Sequence, residues 1–108
     1  RNPRYVNTWF NRAEVLYELG QYDKAAEDYS QAIRLNPQDA DAHANRGHAY
    51  FQLAEYQKSL ADYDQVLQFR PDDALAYVDR ADAYAARPLV RPTLLRQGPV
   101  ARERMPEA

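Results

Sequence analysis

Identical residues return at a spacing of 34 along this chain: Pro3, Pro37 and Pro71; Arg12, Arg46 and Arg80; Tyr22 and Tyr56; Tyr29 and Tyr63; Tyr50 and Tyr84. A period of that length constrains the fold more than any other feature. It describes one helical hairpin, written repeatedly, that is too small to bury its apolar face except against a neighbouring copy. Such hairpins must stack, so function is expected on a surface shared by the stack and not in an enclosed catalytic pocket.

Helical periodicity fills in each unit. Val6, Trp9, Ala13, Leu16 and Gly20 share one stripe, with Asn7, Glu14 and Glu18 away from it, which predicts a first helix from Val6 to Leu19. Gly20-Gln21 breaks the pattern, and a second stripe of Tyr22, Ala25, Ala26, Tyr29, Ala32 and Ile33 predicts a helix ending near Leu35, before Pro37. The next unit repeats this layout, with helices from Ala40 to Leu53 and from Tyr56 to Phe69 around a turn at Ala54-Glu55. Residues 6–39 and 40–73 agree at 10 of 34 positions. Asp39 and either Asp72 or Asp73 stand where a short carboxylate caps the helix that follows. A third unit opens with a helix from Ala74 to Ala86 but meets Pro88 where its turn belongs.

These boundaries divide the chain into residues 1–5, expected to be the end of a preceding repeat; complete units at 6–39 and 40–73; a lone first helix at 74–87; and an irregular Pro- and Arg-rich tail at 88–108. Pro3 in register with the other prolines suggests a piece of a longer array. The chain has 108 residues, 45% hydrophobic and 28% charged, a globular composition. Residues 1–86 hold 9 Lys/Arg against 14 Asp/Glu, whereas residues 87–108 hold 5 Arg against 2 Glu. An acidic body argues against a nucleic-acid binder, which usually carries a basic stripe on its folded surface. The absence of Cys fits a reducing compartment such as the cytoplasm, and many exported proteins as well.

The units resemble the tetratricopeptide repeat, through Trp9, Arg12, Ala13, Leu16, Ala25, Tyr29 and Pro37 in the first and His43, Arg46, Gly47, Tyr50, Ser59, Tyr63 and Pro71 in the second. Arg stands in all three units where the family pattern has Leu. The resemblance implies an all-α fold, a right-handed superhelical solenoid of antiparallel helix hairpins with about two and a half repeats. It also implies a protein-protein interaction scaffold that holds a partner segment in a concave groove lined by the first helix of each unit. Carried over by register, the groove residues are Asn7, Phe10, Asn11, Glu14 and Tyr17; then Asp41, Ala44, Asn45, His48 and Phe51; then Leu75, Val78, Asp79 and Asp82. Phe10, Tyr17 and Phe51 are the expected anchors.

One subfamily grips the terminal carboxylate of chaperone tails with Lys, Asn and Arg, and only Asn45 matches that set. Phe10, Leu75 and Asp79 stand where its basic residues would be. With Glu14, Asp41, Asp79 and Asp82 on the same face, a basic and apolar partner segment is expected instead. A second expectation is self-association, with Val78, Ala81 and Tyr84 as the docking edge of the helix that lacks its partner. Contact of Arg91, Arg96, Arg102 and Arg104 with nucleic acid or an acidic surface is a minor alternative.

No enzyme, cofactor or metal chemistry is expected. His43 and His48 lie five apart on different helix faces without a third ligand, and no phosphate loop or nucleophile-base pair stands out. His43 reads as a packing residue. Asp62, Asp64, Asp72 and Asp73 read as surface charge and helix caps, and the repeating Tyr residues as packing.

Overall fold

The computed structural model describes residues 3–88, and the described residues form helices with no strand. In order these are α1 (Pro3–Glu18), α2 (Tyr22–Leu35), α3 (Ala40–Gln52), α4 (Tyr56–Phe69) and α5 (Ala74–Ala86). Each helix packs on the next in sequence, so that α1–α2 and α3–α4 are antiparallel hairpins stacked side by side and α5 opens a third unit against α4. The result is an all-α repeat solenoid. No helix among the described residues is long and apolar enough to cross a membrane.

The ends of the helices follow from local chemistry. Asp39 and Asp73 cap α3 and α5, each accepting a hydrogen bond on its Oδ1 at 3.1 Å, from the N–H of Ala42 and Ala76 respectively. Asp72 has no such role. Inside the hairpins the chain turns through left-handed backbone at Gly20 (φ 81°) and at Ala54 (φ 61°), one residue suited to that region and one that is not. Helix α1 begins earlier than the periodicity predicts. Residues 3–5 continue it as its first turn and do not close a separate unit, since Pro at the first helical position gives up an N–H that has no helical acceptor there. Residues 1, 2 and 89–108, including most of the expected irregular tail and the dispersed Arg91, Arg96, Arg102 and Arg104, lie outside the described residues.

Small residues set how closely the helices approach. Ala13 and Ala25 are fully buried between α1 and α2 with Tyr29 beside them. In the second hairpin Gly47 meets Tyr63 so tightly that a Cβ at Gly47 would lie 2.6 Å from the Tyr63 ring. Ser59 is fully buried there and donates to the Gly47 carbonyl at 2.6 Å. Between units, Val66 and Leu67 of α4 pack on Ala76 of α5, with Ala44 of α3 against the same cluster.

The recurrent Arg explains itself in three dimensions. Arg12 donates from Nε and Nη2 to the carboxylate of Asp28, at 2.6 and 3.0 Å, and Arg46 does the same to Asp62 at 2.9 and 2.7 Å. Asp28 and Asp62 are buried, 4% and 2% exposed, so Asp62 is not the surface charge expected from the sequence. A buried carboxylate survives only when paired, and a guanidinium fork matches its two oxygens. Arg46 also donates to Ser30 Oγ at 2.9 Å, tying α3 to the helix before it as well as the helix after it.

Candidate interaction surface

The wall made by α1, α3 and α5 carries most of the expected groove residues, but it does so in three different ways. Phe10, Tyr17 and Phe51 are half-buried and locked edge-to-face against tyrosines of the second helices: Phe10 on Tyr29 at 5.5 Å, Tyr17 on Tyr22 at 5.0 Å and Phe51 on Tyr56 at 5.3 Å between ring centroids. They are rigid parts of the wall, not free-standing anchors. The apolar side chains that do stand in solvent are Leu75 and Val78, 65% and 53% exposed. Asn7, Asn11, Glu14, Asp41 and Asp82 are exposed, Asn45 is half-buried, and Ala44 belongs to the packing between units.

Two small depressions lie along this wall. One, of about 250 Å³, is bounded by Glu14, Tyr17, Glu18, Tyr29, Asn45 and His48; the other, about 90 Å³, by Tyr17, His48, Phe51, Gln52, Tyr63, Asp79 and Asp82. Tyr17 and His48 border both and divide them. Tyr29 and Tyr63, read from the sequence as packing alone, also form part of the floor. Burial, reinforced by the nearby Glu14 charge, pushes the Tyr29 phenol up to about 12 while its hydrogen bond with Asn45 pulls the other way. Burial first, then the charge of Asp79, pushes the Tyr63 phenol up too. Both hydroxyls therefore stay protonated, and the floor offers neutral polar groups under an acidic rim.

The acidic rim is partly answered from within. Asp79 accepts from His48 Nε2 at 2.8 Å, and Asp41 pairs with Arg70 at 3.0 Å. Glu14, Glu18 and Asp82 have no ion pair among the described residues, so they carry the open negative charge. Neither histidine joins a metal cluster, since no group of three or more such ligands occurs among the described residues. His43 is buried and structural, its Nε2 at 2.9 Å from the Pro37 carbonyl, its Nδ1 at 3.5 Å from Asp62 and its ring tilted on Phe69 at 5.7 Å. The hydrogen bond to Asp62 raises its pKa above the ordinary histidine value against the opposing effect of burial.

The expected self-association edge needs one correction. Ala81 and Tyr84 do line an open groove between α4 and α5, but Val78 does not; Tyr77 takes that place. Residues 77, 81 and 84 share the helix face that the second helix covers in complete units, while Val78 shares the stripe of Leu75 and Asp82. The sequence signal was available in the register, since Tyr77 matches Trp9 and His43.

The family model for the TPR repeat matches residues 13–54, and that for the tetratricopeptide repeat matches residues 40–73. No curated protein matches the chain. Among solved structures, the first TPR of Spaghetti (RPAP3) bound to the HSP90 peptide SRMEEVD is similar, at 27% identity and a TM-score of 0.73, over 77% of this chain and 67% of that one. The Arabidopsis OM64 TPR domain is similar at 25% identity and a TM-score of 0.71, over 86% and 71%. The first TPR domain of human RPAP3 is similar at 27% identity and a TM-score of 0.73, over 79% and 67%.

Proposed function

Because this chain belongs to the tetratricopeptide repeat family and is a protein-interaction module, we propose that its α1–α3–α5 wall holds a basic and apolar segment of a partner protein, and that the chain acts by this binding without bond chemistry of its own. The observation that carries the proposal is the composition of the wall around Tyr17 and His48. Two depressions with aromatic floors sit under open carboxylates of Glu14 and Asp82, beside the exposed Leu75 and Val78.

The RPAP3 neighbour holds an acidic peptide. Here Phe10, Leu75 and Asp79 occupy the positions where the carboxylate-gripping subfamily has cations, and Asn45 alone is shared. An acidic segment would meet Glu14 and Asp82 without a compensating charge, and like charges across an interface cost several kcal/mol. A Lys or Arg over this rim gains that attraction, and an apolar neighbour covers Leu75 and Val78.

A peptide array scanned with the full chain tests the assignment. Peptides combining Lys or Arg with Leu, Ile or Phe are expected to bind, more weakly as salt rises, and Glu14→Lys combined with Asp82→Lys to abolish the preference. Both substitutions fall on exposed positions, so folding is retained. Preference for acidic peptides, or affinity indifferent to salt and to the double substitution, would reject it.

A further inference from the structure

Among the described residues, no helix covers α5 as α2 and α4 cover its counterparts in the two complete hairpins. Ala81 stands in the register of Ala13 and Gly47, which are buried under Tyr29 and Tyr63, yet it is exposed, with Tyr77 and Tyr84 46% and 56% exposed on either side. These three and Leu60 and Ala61 of α4 line a groove of about 950 Å³. The two complete hairpins show what such a face accepts: a helix with a small residue, an acid three positions later and an aromatic residue directly after it, as in Ala25-x2-Asp28-Tyr29 and Ser59-x2-Asp62-Tyr63.

Charge points the same way. Arg12 and Arg46 each clasp a buried carboxylate sixteen residues further on. Arg80 is third in that series, but its Nη1 reaches back to the exposed Asp64 at 2.9 Å, while its guanidinium lies 5.4 Å from the centre of the Tyr77 ring. Two helical turns on, Arg87 stands where the other units have Leu19 and Leu53. It stacks 4.4 Å from the Tyr84 ring centre, its buried Nε without a hydrogen-bond partner among the described residues. Sixteen residues after Arg80 the chain has Arg96, and Pro99 stands in the register of Gln31 and Gln65, at an interior position where a covering helix needs a backbone donor. By sequence, residues 89–108 therefore offer a cation and a proline at the register where the complete units have Asp and Gln.

We propose that the α4–α5 groove docks one amphipathic helix of a partner protein, antiparallel to α5, with the sequence pattern small-x2-acid-aromatic. The small residue and the aromatic ring both pack over Ala81, as Ser59 and Tyr63 do over Gly47, and the acid meets Arg80. A second acid seven residues before the first faces Arg87, because residues seven apart lie two turns apart on one face of both helices. A second copy of this chain is a poorer occupant. Its α2 and α4, which carry the pattern, are committed to their own hairpins, and its free face would bring Arg80 and Arg87 against the same cations.

A synthetic peptide with the sequence of residues 55–70 carries Glu55, Ser59, Asp62 and Tyr63 in the required spacing and serves as the probe. Titrated with the full chain, it is expected to bind with a gain in helical circular dichroism and to shift the resonances of Tyr77, Ala81 and Tyr84. Asp62→Arg in the peptide should weaken binding by about tenfold or more, and Arg80→Asp in the protein should restore it. The reversed peptide needs no altered protein, so its result stands even where Arg80→Asp folds poorly. Absence of binding at any soluble concentration, equal binding of both peptides, or resonance shifts confined to Tyr17 and His48 would overturn the proposal. So would sedimentation showing the chain alone to be a dimer whose Tyr77 and Tyr84 are protected.

Discussion

Arg46 holds Asp62 through two parallel hydrogen bonds, 2.9 Å from Nε and 2.7 Å from Nη2, in a place where the carboxylate is 3% exposed and His43 approaches from the other side. Burial works against the Arg46 charge, but the bonds to Asp62 outweigh it and raise the guanidinium pKa. Asp62→Ala strands a half-buried cation and leaves His43 with one partner, so it should destabilise the chain by about 3 kcal/mol or more. Arg46→Leu combined with Asp62→Leu, which leaves neither charge behind, should cost less than Asp62→Ala alone. Urea denaturation of these variants checks the coupling, and a double variant worse than the single would contradict it.

His43 gives the fold a pH dependence of definite sign. Its pKa is raised in the folded chain, so protonated His43 contributes stability that is fully present below the ordinary histidine value of about 6.5 and is lost as pH rises through the raised folded value. His43→Gln removes that contribution. The difference in unfolding free energy between the two proteins should shrink as pH rises across that window, and a difference that grows would contradict the assignment.

Gly47 and Ala81 occupy equivalent positions with opposite tolerance. Gly47→Ala places a Cβ 2.6 Å from a Tyr63 ring that is 2% exposed and has nowhere to go, and should cost about 1–3 kcal/mol. Ala81→Leu adds far more volume at an exposed position that no other described helix covers and should change Tm little. Ala13→Leu, at the same register inside the first hairpin, should behave like Gly47→Ala. Thermal melts of the three separate crowding from a general intolerance of helix substitutions.

The two turns make a reciprocal pair. Ala54 sits at φ 61°, where a Cβ is strained, and Ala54→Gly should stabilise by about 1 kcal/mol. Gly20, at φ 81° with open space around it, should lose a similar amount on Gly20→Ala through backbone strain alone. Paired denaturation curves check both signs.

Much of the architecture is written in local chemistry. Periodicity and punctuation located α2, α4 and α5 because apolar stripes, left-handed turns and helix-stopping prolines act over a few residues. The start of α1 escaped because Pro3 is equally at home after one helix and at the first position of the next. The surface was legible by register but not by exposure. Phe10, Tyr17 and Phe51 face the wall as their spacing implies, yet the rings of Tyr29, Tyr22 and Tyr56 that pin them come from other helices.

The sequence alone determined the repeat length, the limits of α2, α4 and α5 and most of the residues sharing each helix face, since all of these are set by the backbone's short-range geometry. Only the tertiary structure decided that Asp28 and Asp62 are buried partners of Arg12 and Arg46. It also decided that Asp41 and Asp79 are answered while Glu14 and Asp82 stay open, and that Tyr77 and Tyr84 stand uncovered. Pairing and burial depend on which helix lies opposite, and in a stacked array that neighbour is set by how the hairpins lean together across many residues of chain.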